Sequence, residues 1–90
     1  MNIELTLIGK PGCHLCEDAE LAIDRVLATF LAANPSVSVS MAQKNILDDA
    51  ELAARYSEEI PVLLINGKVH NYWRIDEERF ASALNSLANE

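Results

Sequence analysis

The stretch Gly9-Lys10-Pro11-Gly12-Cys13-His14-Leu15-Cys16 joins a strand-like run to a helix-like run and carries the only two cysteines of the chain. Residues 3–8, just before it, are apolar and rich in β-branched side chains, which predicts a strand that ends at this stretch. Apolar residues recur at three- and four-residue steps over residues 14–33, which predicts a helix that Asn34-Pro35 ends. Both cysteines are therefore expected at the start of the first helix.

A thiol at the N-terminus of a helix is favoured as the thiolate, because unpaired backbone N–H groups and the positive end of the helix dipole lie there. Cys13 is the candidate nucleophile, since it is nearer the loop and is expected to be the more exposed of the pair. Cys16 follows one helical turn later and is close enough to resolve a mixed disulfide. The spacing predicts a redox dithiol. The like charge of Glu17 and Asp18 opposes formation of the thiolate.

The composition is that of one small acidic domain over residues 1–90. The chain has seven Lys and Arg residues and fourteen Asp and Glu residues. The resulting net charge of −7 argues against nucleic acid or an anionic membrane as a partner. No apolar run approaches the roughly 20 residues of a membrane span. The first residues lack the basic head and apolar stretch of a signal peptide, so we expect a cytoplasmic protein. Thiols stay reduced there, and an adjacent pair is more often catalytic or metal-binding than structural.

The middle of the chain predicts a second strand and a short second helix. Apolar residues alternate with serines over residues 36–41, which predicts a strand near a sheet edge with one wet face. A loop is expected over residues 43–45. Asp48 or Asp49 is expected to cap a short helix that carries Leu52, Ala53 and Tyr56.

The last third predicts a hairpin followed by a helix. Residues 62–65 form a continuous apolar run that is typical of a central strand. Asn66-Gly67 predicts a two-residue turn into a returning strand over residues 68–73, because both residues accept positive φ. Asp76 is expected to cap a final helix. The order β-α-β-α-β-β-α predicts an α/β fold whose four-stranded mixed sheet is flanked by helices, with a right-handed parallel first unit.

The chain resembles the glutaredoxins of the thioredoxin-fold superfamily, and most of all the small bacterial glutaredoxin-like proteins. The resemblance covers nearly the whole chain. It rests on Lys10-Pro11-Gly12-Cys13-His14-Leu15-Cys16, on Ile60-Pro61-Val62-Leu63, on the Asn66-Gly67 hairpin and on the capped last helix. It implies a thioredoxin fold and a thiol–disulfide oxidoreductase that cycles Cys13 and Cys16 through a redox-active disulfide.

The resemblance also implies roles for residues beside the cysteines. Pro61 is expected in the cis form with its loop beside the cysteines, and Ile60 is expected to present its backbone N–H and C=O to a bound thiol. The alternative for Pro61 is an ordinary proline that opens an edge strand, which the apolar run after it disfavours. His14 is expected to lower the pKa of the thiol or to donate a proton. The alternative is a surface residue at the helix start.

The expected reductant is either glutathione or a thioredoxin-reductase-like protein, and the resemblance implies two contacts for glutathione. Lys10 would hold a carboxylate of the tripeptide, with a solvated loop lysine as the alternative, and Asp76 would hold the γ-glutamyl end. Glutaredoxins usually carry two glycines before this acidic residue, whereas here the stretch is Asn71-Tyr72-Trp73-Arg74-Ile75. The bulky Tyr72-Trp73-Arg74 segment obstructs that groove or forms a different binding surface. Tyr72 and Trp73 are otherwise expected as core and sheet-surface residues, because an aromatic residue at the end of a strand more often packs than binds a ligand.

Two other classes of function compete with the oxidoreductase. One is a thioredoxin-like module that binds a basic partner protein, with the dithiol idle or sensing oxidation. The other is a metal site, either zinc or an iron–sulfur cluster shared between subunits. Structural zinc usually takes four ligands, and His14 is badly placed to join Cys13, Cys16 and His70 on one ion. We expect no metal and no organic cofactor, a monomer, and as partner a disulfide-containing protein or a glutathione mixed disulfide.

Overall fold

The computed structural model describes residues 1–90 as four strands and three α-helices. In chain order these are β1 (Asn2–Gly9), α1 (His14–Ala33), β2 (Ser38–Asn45), a 3-10 turn (Ile46–Asp48), α2 (Ala50–Tyr56), β3 (Val62–Ile65), β4 (Lys68–Tyr72) and α3 (Glu77–Ala88). The sheet order is β2-β1-β3-β4. β1 and β2 are parallel, and β3 is antiparallel to both of its neighbours. The predicted α/β fold with a four-stranded mixed sheet is confirmed, and β3 is central as its apolar run indicated.

Apolar side chains cover both faces of the sheet, because successive residues of a strand point to opposite sides. One face is the larger core: Leu5 and Leu63 pack there with residues of α1 and α3, and Phe80 and Leu84 of α3 are fully buried. The opposite face is a smaller cluster that joins Ile8 of β1 to Tyr56 of α2. None of the helices is both long and apolar enough to cross a bilayer.

The second strand is longer than the sequence pattern predicted. Residues 43–45 were expected in a loop, but they pair with residues 7–9 of β1, and the strand begins at Ser38. A parallel ladder is made by backbone groups, so polar side chains such as Lys44 do not end it, and they suit an exposed edge strand. Gly9, expected as part of the break after the first strand, is likewise still paired within β1.

The last strand is shorter than predicted, and neither Tyr72 nor Trp73 is the core residue that the sequence predicts. β4 ends at Tyr72, and Trp73 has a φ of 63°, in the left-handed region. Tyr72 is 42% exposed and Trp73 is 53% exposed. A bulge interrupts the β3–β4 register between Leu63 and Leu64 and so disturbs the alternation of side chains along β4. The buried residue near the end of β4 is Asn71.

The turn and cap predictions are confirmed. Asn66 and Gly67 have φ of 50° and 83°, so both central residues of the hairpin are in the left-handed region. Of the two candidate caps for α2, the structure uses Asp49, which accepts hydrogen bonds from the N–H groups of residues 51 and 52. Asp76 caps α3. The Ile60–Pro61 peptide bond is cis, as the resemblance implies. Pro61 comes directly before β3, which pairs with β1 and β4 and is therefore not an edge strand.

Candidate active site

Cys13 is the N-cap residue of α1. Its backbone is extended, and its Sγ accepts a hydrogen bond from the backbone N–H of Cys16 at 3.2 Å. The N–H of Glu17 donates to the carbonyl oxygen of Cys13 at 3.1 Å. The sulfur therefore lies at the positive end of the helix dipole and has the Cys16 N–H as a backbone donor, and both favour a thiolate.

Cys13 and Cys16 are paired as a disulfide, with their Cα atoms 5.2 Å apart. Their accessibility differs: Cys16 is only 8% exposed, whereas Cys13 is half-buried and packs at the border of the smaller core cluster. An incoming sulfur therefore meets Cys13 more readily than Cys16. This order of exposure is the one that the sequence predicted for a nucleophile followed by a resolving cysteine.

Gly9 provides the space that Cys16 occupies. A Cβ at position 9 would lie 2.8 Å from Cys16 Sγ and 3.3 Å from Cys16 Cβ, closer than side-chain packing allows. The sequence identified Gly9 only as part of a break between elements. Its role depends on β1 continuing through Gly9 until the strand passes under the first turn of α1, and a glycine inside a strand commonly marks such a close approach.

The loop before β3 lies beside the disulfide. Ile60 is buried and belongs to the same apolar cluster as Cys16. Among the hydrogen bonds that loops and caps make, none uses the backbone N–H or C=O of Ile60. The residue before cis-Pro61 thus has a free donor and a free acceptor next to the cysteines.

Trp73 is hydrogen-bonded to the loop that carries Pro61. Its backbone N–H donates to the carbonyl oxygen of Pro61 at 2.8 Å, and its indole Nε1–H donates to the carbonyl oxygen of Glu58 at 3.1 Å. The turn that follows is held by the buried amide of Asn71, whose Nδ2 donates to the carbonyl oxygens of Tyr72 and Arg74. The segment that follows β4 is therefore fixed against the loop that carries Pro61.

The remaining predicted residues are spread around the disulfide. Lys10 is exposed and lines a groove of about 420 Å³ that Cys16 also borders. The side chain of His14 is 97% exposed, with Nδ1 3.7 Å from a carboxylate oxygen of Glu17. Asp76 uses Oδ1 to accept the N–H of residue 79 at 3.1 Å. The structure brings Cys13, Cys16 and Ile60 together, puts Lys10 at the rim, and leaves Asp76 at the start of α3.

One ion pair joins α1 to α3. Arg25 of α1 donates to both carboxylate oxygens of Glu77 of α3, at 3.3 and 3.0 Å. This hydrogen bond lowers the pKa of Glu77 and raises the pKa of Arg25. Burial, helped by the charge of Arg79, lowers the pKa of His70. The His, Cys, Asp and Glu side chains form no group of three or more that is arranged to hold a metal ion.

A family model described as the glutaredoxin-like domain (DUF836) matches residues 4–85. The chain belongs to this family. Its cysteine pair lies inside the matched region, at the start of the helix that follows the first strand of the four-stranded sheet. Family, fold and cysteine pair together indicate a redox-type function.

Known proteins with similar sequence or structure agree with this membership. A protein from X. campestris with an X-ray structure is 28% identical, with a TM-score of 0.71 over 91% of this chain and 96% of that chain. An uncharacterized protein of Mycobacterium tuberculosis is 24% identical over 76 residues, 84% of this chain and 76% of its own length. Oxidised thioredoxin of Plasmodium falciparum is 9% identical, with a TM-score of 0.59 over 96% of this chain and 81% of that chain, which shows the fold alone.

Proposed function

We propose that the chain is a glutaredoxin-like thiol–disulfide oxidoreductase, with Cys13 as nucleophile and Cys16 as resolving cysteine. The observation that carries the proposal is the setting of Cys13. Its sulfur caps α1, accepts the N–H of Cys16 at 3.2 Å and is the more accessible of the two. A thiolate there is stabilised by the same N–H and by the helix dipole, and the thiolate is the attacking species.

The reaction that follows conserves atoms and electrons. The Cys13 thiolate attacks one sulfur of a substrate disulfide, and the other substrate sulfur leaves as a thiolate that takes up a proton. Cys16, after losing its proton, attacks Cys13 Sγ and displaces the first substrate sulfur. The chain then holds the Cys13–Cys16 disulfide, and two electrons have passed to the substrate. Two equivalents of an external thiol, or one dithiol, restore the reduced pair.

Glutathione is the proposed thiol of that last step, and the cytoplasm is the proposed compartment. The free backbone groups of Ile60 support binding of a thiol compound next to Cys13. Lys10, exposed at the rim, is proposed to hold a carboxylate, and Asp76 the γ-glutamyl amino group. The protein is proposed to act as a monomer on protein disulfides or glutathione mixed disulfides, without a metal or organic cofactor.

The test is intact-mass spectrometry after equilibration in glutathione buffers of different redox potential. The wild type should interconvert between dithiol and disulfide, and Cys16→Ser should collect one glutathione on Cys13. Cys13→Ser should collect far less and should lose disulfide reduction. Persistent reductase activity in Cys13→Ser would refute the assignment of the nucleophile.

The same samples separate the competing functions. A disulfide that forms but never exchanges with glutathione would favour an oxidation sensor or a different electron donor. Metal analysis of the purified protein tests the zinc and iron–sulfur hypotheses directly. A coloured protein that contains iron and inorganic sulfide would instead support an iron–sulfur cluster shared between two copies of the chain.

A further inference from the structure

We propose that Glu20 accepts the proton that the Cys16 thiol loses when it attacks the mixed disulfide on Cys13. The inference rests on the proposed oxidoreductase function and adds a residue to its second step. In that step a proton has to leave the sulfur of a residue that is only 8% exposed, because the thiolate and not the thiol is the nucleophile. The surroundings of Cys16 decide which group takes that proton.

On one side Cys16 packs in the smaller core cluster, which offers no proton acceptor. Its other buried members are Ile8, Ile46, Tyr56, Ile60 and Val62. Tyr56 alone among them has a polar side-chain atom, and that atom belongs to a hydroxyl rather than to a carboxylate or an imidazole. Apolar neighbours also disfavour the charged thiolate. The proton therefore leaves on the other side of Cys16.

That other side borders the groove of about 420 Å³ beside Cys16. The polar side chains that line this groove are Lys10, Glu17, Glu20, Gln43, Lys44 and Asn45. A lysine ammonium group has donors and no acceptor, and a side-chain amide is not a base near neutral pH. The carboxylates of Glu17 and Glu20 are therefore the groups of the groove that can take up a proton.

The geometry of α1 distinguishes between these two carboxylates. Glu20 follows Cys16 by four residues, so the two side chains lie on the same face of the helix, with Cβ atoms about 5–6 Å apart. Glu17 directly follows Cys16, and sequence neighbours on a helix do not face each other. The carboxylate of Glu17 is also drawn to His14, whose Nδ1 lies 3.7 Å from it. Glu20 is therefore the carboxylate that faces Cys16.

A contact with β2 holds Glu20 in the groove. Gln43 donates a hydrogen bond from Nε2 to Oε1 of Glu20. Glu20 is half-buried, whereas Glu17 and Asp18 at the start of the same helix are exposed. One carboxylate oxygen thus fixes the side chain, and Oε2 is left to accept the proton, either directly or through a water in the groove.

The step conserves atoms and charge. The Cys16 thiol gives its proton to Glu20, and Cys16 Sγ forms a bond to Cys13 Sγ. The bond between Cys13 and the substrate sulfur breaks, with its electron pair on the substrate sulfur. Glu20 then passes the proton to water in the groove. When an external thiol opens the Cys13–Cys16 disulfide, the same path returns a proton to Cys16.

Stopped-flow oxidation of the pre-reduced protein by dithiobis(nitrobenzoate) separates the two steps. Attack by Cys13 releases one coloured nitrothiobenzoate, and attack by Cys16 on the resulting mixed disulfide releases a second. Cys16→Ser should release one equivalent and so identifies the second phase. Glu20→Gln should slow the second phase relative to the first by about tenfold, which is less than a fully positioned base contributes, because water in the open groove also accepts protons.

Two further variants separate proton transfer from packing and charge. Glu20→Gln keeps an oxygen that can accept the hydrogen bond from Gln43, so the contact with β2 is preserved. Formate, added at constant ionic strength, should restore the second phase in Glu20→Ala, because a free carboxylate can replace the missing one. Glu17→Gln is the matched control: it makes the same change of charge next to Cys16 and should not slow the second phase. Thermal unfolding checks that each variant is folded.

The direction of the effect decides the outcome. A carboxylate that acts only through its charge disfavours the Cys16 thiolate, so its removal would speed the second phase. An unchanged or faster second phase in folded Glu20→Gln, equal slowing in Glu17→Gln, or a Glu20→Ala variant that formate does not restore would refute Glu20 as the acceptor and leave the oxidoreductase intact. Release of no second equivalent by the wild type would refute the resolving role of Cys16, and this inference with it.

Discussion

Cys16 Sγ occupies the place where residue 9 would carry its side chain, since a Cβ on Gly9 would come within 2.8 Å of that sulfur. The last residue of β1 is therefore part of the disulfide's environment. Gly9→Ala forces the sulfur or the strand to move, which should destabilise the oxidised protein by about 1–3 kcal/mol, the usual cost of overpacking. Denaturant unfolding of the oxidised protein measures this loss.

The same substitution should make the Cys13–Cys16 disulfide easier to reduce, because the reduced Cys16 thiol is free to rotate away from the new methyl group. A redox titration should give a less negative reduction potential. Gly67→Ala is the control: its φ of 83° makes alanine unfavourable, but no atom lies within 4 Å of the added Cβ. It should cost stability and leave the potential unchanged. An unaltered potential in Gly9→Ala would show that Gly9 does not position Cys16.

Asp76 has a structural role that can be separated from its proposed role toward glutathione. Its carboxylate caps α3 by accepting the N–H of residue 79. Asp76→Ala should lose about 1 kcal/mol of unfolding free energy, whereas Asp76→Asn should keep the cap, because both residue types are favoured N-caps. If Asp76 also binds the γ-glutamyl amino group, Asp76→Asn should raise the KM for glutathione at unchanged stability. An unchanged KM in this variant would restrict Asp76 to capping.

Leu63 sits at the centre of the sheet and is fully buried between β1 and β4 in the larger core. Leu63→Ala should lower the free energy of unfolding by about 2–5 kcal/mol, since it removes buried methyl groups and leaves a cavity. Leu47, which is 70% exposed, is the matched control, and Leu47→Ala should change stability by no more than about 0.5 kcal/mol. Similar losses in urea unfolding of both variants would contradict this description of the core.

The features predicted correctly from sequence are those that a few neighbouring residues determine. Asn66 and Gly67 specify their turn through local φ preferences, and Asp49 and Asp76 specify helix starts through their own side chains. The position of Cys13 at a helix start follows from the change of periodicity at the Gly-Cys boundary.

The features that were missed depend on distant parts of the chain. β2 extends to Asn45 because β1 is beside it, although its own residues suggest a loop. Aromatic residues favour strands, so the sequence predicts Trp73 in the last strand. Its left-handed backbone is instead held by the distant carbonyl of Pro61. Arg25 and Glu77 are 52 residues apart, and no local pattern links them.

His70 should make the stability depend on pH near neutrality. Its Nε2 is buried without a hydrogen-bond partner, and burial is the main cause that lowers its pKa below 6.5, followed by the charge of Arg79. The charge of Asp76 acts in the opposite direction but is the smallest cause. The folded protein therefore resists protonation of a group that the unfolded chain protonates readily.

The sign of the effect follows from this difference in proton binding. Between pH 6.5 and the lower pKa of folded His70, the unfolded chain binds more protons than the folded protein. The free energy of unfolding therefore falls as the pH drops through this range. Below the folded-state pKa, His70 adds no further loss. Urea unfolding at pH 7.5 and 5 measures the loss, which should be smaller in His70→Gln. The pKa of Glu77 is also lowered, but from an ordinary value of 4.5, so Glu77 changes the stability only at a more acidic pH than His70 does. An equal loss in both proteins would place the acid sensitivity elsewhere in the chain.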